Sequence, residues 1–487
     1  MSSSPASPVV KAVHSHANTS WQDKSTRHAK KIVVIGAGAA GLHAAARLRA
    51  RGFTDISIFE AGCAVGGRCV SRVMYDGSVP VEAGFLANIV SEARNPLAEL
   101  VNEYLAALDQ KFAELLEHHD LLILIPVFVL CPVVFSQHFL LEIPALYGLW
   151  WYHPERVTAL VDIRKGTLMP PRYTVLKCGW QALWARMVEI EGLDVHLNAK
   201  VKSIRRPCMS MKGKLVVEKK GGGRGGEGGG GKGGEAGGEG GERGQAGRNA
   251  VETYEFDFIV LAGSMKSIFP LLLDATNEEQ ELAEAATEFS LCSTIFEAEA
   301  VTGEQPVKLY PLSKGCAATG QVFAQINPRL FVHSSTAVAA ASPRDEQQQE
   351  WDGDYDDKDV HGQSGSRSNS SSSSNCVASL PAAKEPRIVY QFLHRAPNPA
   401  DFAVLTRRLK MHCDDQSFRE LVMLKQCLWR FFPHFPNEDL LKKGWLWRLQ
   451  EMQGQQGTLY LGASVCMDAL NEVLLYNEVV LERILGD

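Results

Sequence analysis

The stretch "KKIVVIGAGAAGLHAAARLRARGFTDISIFE" (Lys30 to Glu60) decides the fold. "KKIVVIGAG" is a fully apolar run passing straight into glycines, the pattern of a strand buried on both faces. "AAGLHAAARLRARG" then reads as a small-residue amphipathic helix ending at Gly52, and "ISIFE" as a second apolar strand. Strand, helix and strand in this order form a βαβ unit. Gly36 serves the tight turn, Gly38 lets backbone approach a pyrophosphate, and Gly41 lets helix and strand pack closely. Ala39 and Ala40 complete the loop at the helix start, where free N–H groups and the helix dipole favour phosphate. Glu60, a little over twenty residues on, supplies a carboxylate for ribose hydroxyls, with Ala61 beside it. The unit is therefore expected to bind a dinucleotide.

A second cluster follows at once in "FEAGCAVGGRC" (Phe59 to Cys69). Gly66 and Gly67 allow another close backbone approach, and Arg68 offers a fork-shaped cation for phosphate. A nicotinamide dinucleotide does not need this second clamp. Together, GxGxxG, the acid and GGR resemble the flavin-containing amine oxidase superfamily. That resemblance implies FAD as cofactor, a discontinuous Rossmann-like α/β domain, and a second α+β substrate domain with a mixed sheet.

The resemblance continues along the chain. "VEAGFLANI" is similar to the family's short segment after the clamp, which brings in Gly84. "LKCGWQALWARM" resembles the helix leading into the middle FAD-binding portion, and "LNAKVKSIRR" the strand whose backbone faces adenine, a role falling on Val201. "YEFDFIVLAG" reads as a strand, and its "FDFIVLAG" resembles the strand that closes the FAD domain. In "GTLYLGASVCMDALNEVLLYNEVVLERIL", Gly462 and Ala463 would lie by the ribityl chain. Leu470 and Asn471 would begin a helix aimed at the flavin, its dipole stabilising negative charge there. "WRFFPHF" and "GWLWRLQEMQG" further resemble FAD-dependent oxidoreductases of the β-cyclopiazonate dehydrogenase type.

Departures from the family pattern narrow the chemistry. Ala463 stands where a Glu is common, and "FSLCSTIFEAE" lacks the lysine that many members carry near the flavin. "KKGWLWRLQEMQGQQG" has no cysteine for covalent attachment, so FAD is expected to be non-covalent. Cys69 follows the glycine pair as in disulfide reductases, but Met74 takes the partner's place, and Cys63 is expected only to fill space. The expected activity is oxidation of an apolar small molecule, by amine oxidation or desaturation. The alternatives are an NAD(P)H-dependent flavoprotein and a non-catalytic FAD-binding protein. No catalytic residue is assigned. Trp445 and Trp447 read equally as cavity wall and core, and Tyr390 and His394 stay open.

Composition bounds the rest. A chain of 487 residues can bury two domains, and its net charge of −6 gives no attraction to nucleic acid. Eleven cysteines without a CxxC pair argue against a disulfide framework and against a metal site. The expected organisation is a disordered leader over 1–30, then FAD-binding parts at 31–90, 174–275 and 445–487. Substrate-domain parts fall at 91–173 and 276–444. The Gly-rich 221–247 and the acidic, Ser-rich 342–383 read as disordered inserts, the first at a hairpin tip. The leader has no apolar core of a secretory signal, so the protein is expected in the cytoplasm or, with a transit peptide, in a plastid or mitochondrion. "LLILIPVFVLCPVVF" is too short and Pro-broken to span a bilayer. It reads as buried, as a substrate-tunnel lining, or as a peripheral membrane contact through 121–151.

Overall fold

The computed structural model describes residues 23–72, 179–208, 211–220, 250–299, 384–436, 444–466 and 468–486 continuously, with shorter pieces between 81 and 174 and between 301 and 330. Strand β1 (Lys31–Ile35) leads into helix α1 (Ala39–Ala50), and β2 (Asp55–Phe59) follows. Helix α2 (Gly179–Glu191) precedes the short β3 (Asp194–His196). Strands β4 (Ala199–Arg205), β5 (Gly213–Lys219) and β6 (Ala250–Phe256) then pair antiparallel, and β7 (Phe258–Leu261) comes directly after. Helix α3 (Asn277–Ala285) opens the next block, which continues through β8 (Thr287–Glu299), β9 (Val307–Leu309), β10 (Val322–Ile326) and β11 (Lys384–Leu393). Helix α4 (Asp401–Asp415), β12 (Val422–His434), α5 (Trp445–Glu451), β13 (Thr458–Tyr460) and α6 (Leu470–Leu485) complete the chain.

Two larger sheets organise these elements. In the first, all strands are parallel in the order β13-β7-β1-β2-β3. Its central strands are almost wholly buried, which is why β1 and β7 read as unbroken apolar runs. Helices α1 and α6 cover it, and α1 is rich in alanine because it packs close: seven of its residues are buried. Asn477 Nδ2 on α6 donates to Ala40 O at 2.9 Å, locking the two helices together. The three-stranded ribbon β4-β5-β6 stands beside this sheet, and the Gly-rich 221–247, outside the described residues, connects β5 to β6.

Three expectations need correction. The run "YEFDFIVLAG" is not one strand. It breaks at Asp257, whose backbone N–H donates to Lys31 O and whose carboxylate accepts from Lys31 N, both at 2.8 Å. That pair moves the chain from the ribbon into the parallel sheet. The second large sheet, β9-β10-β11-β8-β12, was expected to be mixed; every pairing among its described strands is antiparallel. Strands β11 and β12 do run in the same direction, joined by α4 as a crossover, but β8 lies between them and opposes both.

The leader expected over 1–30 also ends sooner. Lys24–Ala29 form a 3-10 turn capped by the Asp23 side chain. Arg27 is buried, donating to Leu485 O at 2.8 Å and Arg51 O at 3.2 Å, with its guanidinium 5.6 Å from the Phe53 ring centroid. A composition reading sees only a polar tail and misses a cation that satisfies carbonyls at two helix ends. Residues 1–22, 121–142 and the insert 342–383 lie outside the described residues, and no described helix is long and apolar enough to cross a membrane.

Candidate dinucleotide site

The glycine loop closes the C-terminal edge of β1. Gly36 adopts φ +104° and donates its N–H to Phe59 O at 2.9 Å. A Cβ on Gly41 would lie 2.0 Å from Gly36 O, so only hydrogen fits between helix and loop. Gly38 is the N-cap of α1 without a side-chain cap, so the first-turn N–H groups, including those of Ala39 and Ala40, have no helical acceptor. These are the donors an anion would meet.

Glu60 does more than wait for a ribose. Its Oε2 accepts from Ala37 N at 2.9 Å and its Oε1 from Gly62 N at 2.7 Å. The carboxylate thus ties the glycine turn to the chain leaving β2. Each oxygen keeps a further acceptor position, and the side chain is half-buried rather than enclosed. Ala61 beside it is exposed.

The two glycine clusters meet. Gly66 N donates to Ala37 O at 2.8 Å, and Gly38 and Gly66 form an isolated parallel bridge. Gly66 and Gly67 have φ +106° and +59°, conformations that side chains rarely adopt. A Cβ on Gly67 would sit 3.0 Å from Gly38 Cα, and one on Gly38 would sit 3.7 Å from Gly67 Cα. The cradle is therefore walled by two bare backbones.

Arg68 is not an unmatched cation. It makes a bidentate pair with Asp468, through Nη1 to Oδ2 at 2.7 Å and a second, shorter contact from Nη2 to Oδ1. Its guanidinium lies 5.4 Å from the Phe431 ring centroid. Burial alone would lower the Arg68 pKa, but the Asp468 carboxylate more than offsets it, so the pKa is raised. Asp468 is buried and also accepts from Phe432 N at 2.8 Å. The sequence reading missed Asp468; its only signal was an acid standing two residues ahead of a helix.

The remaining expected residues fall at the same edge or are placed by it. Ala199 N donates to Glu60 O at 2.8 Å, and Val201 follows two residues on, buried, where the β4–β5 register shifts. Gly462 has φ +92°, and a Cβ there would lie 3.4 Å from Ala40 Cβ, so the turn after β13 touches the first turn of α1. Ala463 is half-buried. Leu470 and Asn471 start α6, whose N-cap Ala469 provides no side-chain acceptor. Asn471 Nδ2 is buried and has no partner among the described residues. Gly84 lies outside the described residues. A cradle that a single Cβ would fill, together with an orphaned amide at a helix start, fits a dinucleotide carrying a hydrogen-bonding ring. Among the described residues no group of His, Cys, Asp or Glu is placed to hold a metal ion.

The open residues now have places. Tyr390 and Trp445 are core side chains, Trp445 stacking on Phe435 at 6.0 Å, and Trp447 packs half-buried against the core. Cys63, expected to fill space, is exposed, while Cys69 is buried, and neither is bridged. His394 lines a cavity of about 580 Å³ with Lys266, Thr287, Glu288, Phe289 and His434. His434 is buried, its Nδ1 2.8 Å from Phe432 O and its Nε2 2.9 Å from Thr287 Oγ1. A carbonyl only accepts, so Nδ1 carries the proton and Nε2 accepts from the Thr287 hydroxyl. Burial pushes its pKa down to about 4.

Comparison with known proteins agrees with this geometry. Residues 34–104 match the family model described as an NAD(P)-binding Rossmann-like domain. The N-terminal unit is a Rossmann-like nucleotide-binding domain. Over 75 residues the chain is 35% identical to polyamine oxidase 7 of Oryza sativa subsp. japonica, and the match spans 15% of this chain and 16% of that relative. The chain thus covers about a sixth of the curated relative's length. At the level of structure, the CLA-producing fatty acid isomerase from P. acnes superposes with a TM-score of 0.60 at 16% identity, covering 93% of this chain and 98% of that one. Reduced UDP-galactopyranose mutase superposes with a TM-score of 0.52 at 11% identity, covering 94% and 96%. The Rossmann-like parallel sheet and the separate antiparallel sheets form a fold shared with these two solved structures.

Proposed function

We propose that this chain binds FAD non-covalently and oxidises an apolar small molecule, by amine oxidation or desaturation. The observation that carries the reading is the meeting of Gly38 with Gly66 and Gly67 over the uncapped start of α1, with Asn471 Nδ2, unpartnered among the described residues, at the start of α6. On this reading, Ala39, Ala40 and Gly41 bind pyrophosphate through backbone N–H groups, and Glu60 accepts from ribose. Val201 would face the adenine, while Gly462 and Ala463 would pass the ribityl chain and Leu470 and Asn471 the ring. Bound FAD supplies acceptance of a hydride from a C–H bond. The similarity to polyamine oxidase 7 over 15% of the chain supports the flavin class.

Non-covalent binding is supported by chemistry near Gly462. Cys466 is buried, its thiol donates to Gly462 O at 3.3 Å, and burial holds its pKa well above the usual thiol value. A thiol held protonated is a poor nucleophile. Compartment, the peripheral membrane contact through 121–151 and the absence of a nucleic-acid partner stay with this proposal as expectations from sequence.

The test is purification of the full chain followed by acid precipitation. A yellow supernatant with the absorption of free FAD is expected, and anaerobic addition of an apolar amine or desaturable substrate should bleach the flavin band in the native protein. Bleaching by NADPH alone would favour a reductase, and a protein that neither carries nor takes up FAD would refute the reading.

A further inference from the structure

The 580 Å³ cavity has the volume of a small-molecule site and a one-sided charge. Its apolar wall includes Ile143, Phe289, Ala396 and Pro436. The carboxylate among its described lining residues, Glu288, is already satisfied: Oε1 accepts from Ser264 Oγ, and Oε2 pairs with Arg430 at 2.5 Å. Arg395 at the rim is matched by Asp401 in a bidentate pair. His434 is neutral at physiological pH and its Nε2 is occupied by Thr287. Lys266 remains. It is half-buried, lines the cavity, and makes no ion pair among the described residues.

Among the described lining residues with a fixed charge, Lys266 alone is without an ionic partner, and it faces an apolar wall. An ammonium group entering here finds no carboxylate with an open partner and meets Lys266, which repels it. A carboxylate finds a point charge on a flexible stem. We infer that the cavity receives an apolar molecule ending in a carboxylate, with Lys266 as its counter-ion. The inference favours the desaturation arm of the proposed function over amine oxidation, and its catalytic sense rests on that function, but the binding itself is measurable with or without flavin.

The cavity is linked to the candidate cofactor site through the backbone beside Lys266. Met265, the neighbour of Lys266, donates its N–H to Ser464 Oγ at 3.2 Å, one residue after Ala463. An anionic end held by Lys266 would thus be anchored close to the turn that follows β13.

The test is calorimetric titration of the full-length protein with decanoate, decanol and decylammonium, with flavin content read from absorbance in the same samples. Decanoate is expected to bind about tenfold or more tightly than either of the others, the range for a hydrogen bond to a charged group. Lys266→Met should remove that preference, and Lys266→Arg should keep it. Lys266→Gln serves as a second neutral variant should Lys266→Met fail to fold. Equal binding of the three ligands, no binding of any, preference for decylammonium, or a preference for decanoate surviving in a folded neutral variant would each overturn the inference. A preference for decanoate in protein that takes up no FAD would uphold it while refuting the flavin reading.

Discussion

Replacing Gly38 by Ala separates the cradle from the fold. Gly38 has φ −79° and ψ 178°, which alanine adopts without strain. Its Cβ would meet Gly67 Cα at 3.7 Å, an ordinary contact, so the protein itself accommodates the methyl. Loss of glycine entropy from the unfolded chain, about 0.4–1 kcal/mol, is offset by the poorer capping of an alanine at the N-cap, so stability should change by less than about 1 kcal/mol. The same methyl stands between the two bare backbones that form the cradle and keeps a pyrophosphate off the α1 N–H groups. Losing one or two charge-assisted hydrogen bonds at about 1.5–3 kcal/mol each removes roughly 3 kcal/mol, or about a hundredfold in affinity. The assay is FAD titration by flavin fluorescence quenching, alongside urea unfolding of the apoprotein. Gly41→Ala is the contrast: its Cβ would sit 2.0 Å from Gly36 O, and it should destabilise by about 3 kcal/mol or more. Unchanged FAD affinity in a folded Gly38→Ala protein would refute the assignment of the cradle.

Three further outcomes are expected. Asp468→Asn removes the charge matching Arg68 while keeping an acceptor for Phe432 N; because Arg68 is one-third exposed, the loss should be about 2–3 kcal/mol. It should be seen as faster amide exchange around Phe432, and unaltered exchange there would count against the pair. His434 has a pKa pushed down to about 4 from 6.5, so the unfolded chain takes up a proton between these values that the folded chain refuses. Stability should therefore fall as pH drops from about 6.5 towards 4, by up to about 3 kcal/mol, with a shallower decline in His434→Gln measured by urea midpoints. Arg27→Ala should loosen the end of α6 by about 2 kcal/mol through loss of its bonds to Leu485 O and Arg51 O, read as earlier proteolysis of the C-terminal turn.

What could be read from sequence was local. The β1–α1–β2 unit, its three glycines and Glu60 lie within about thirty residues, where spacing and apolar periodicity specify geometry directly. The meeting of Gly38 with Gly66 was not legible: Gly66 lies beyond that segment, and the chain leaving β2 must turn back for the two backbones to pair. The division of "YEFDFIVLAG" at Asp257 was not legible, because two strands in different sheets present one continuous pattern when a single residue separates them. The second sheet's strand directions were not legible either, since β8 enters between β11 and β12 from far earlier in the chain. Arg27 shows the same limit in reverse: a polar residue in a polar tail is buried because carbonyls from two distant helix ends converge on it.

The Arg68–Asp468 pair is the clearest case, and it bears on how the molecule works. Its partners are 400 residues apart, and neither motif alone suggests the other. Asp468 precedes α6, Arg68 closes the glycine clamp, and both reach β12: Asp468 through Phe432 N, Arg68 over the Phe431 ring. Two residues along the same strand from Phe432 stands His434, which lines the cavity. On the other side, Ser264 holds Glu288 of the cavity wall while the adjacent Met265 is held by Ser464. The clamp and the cavity are thus joined by two separate sets of hydrogen bonds. A partly buried, bidentate pair has one favourable geometry, so it fixes β12 relative to the clamp more sharply than apolar packing would. An enzyme that passes hydride between a bound substrate and a bound ring needs that relative position held to a fraction of an ångström. On the proposed flavin reading, the acid–base inventory of the cavity is then secondary to its placement, which the scaffold joining the two halves holds.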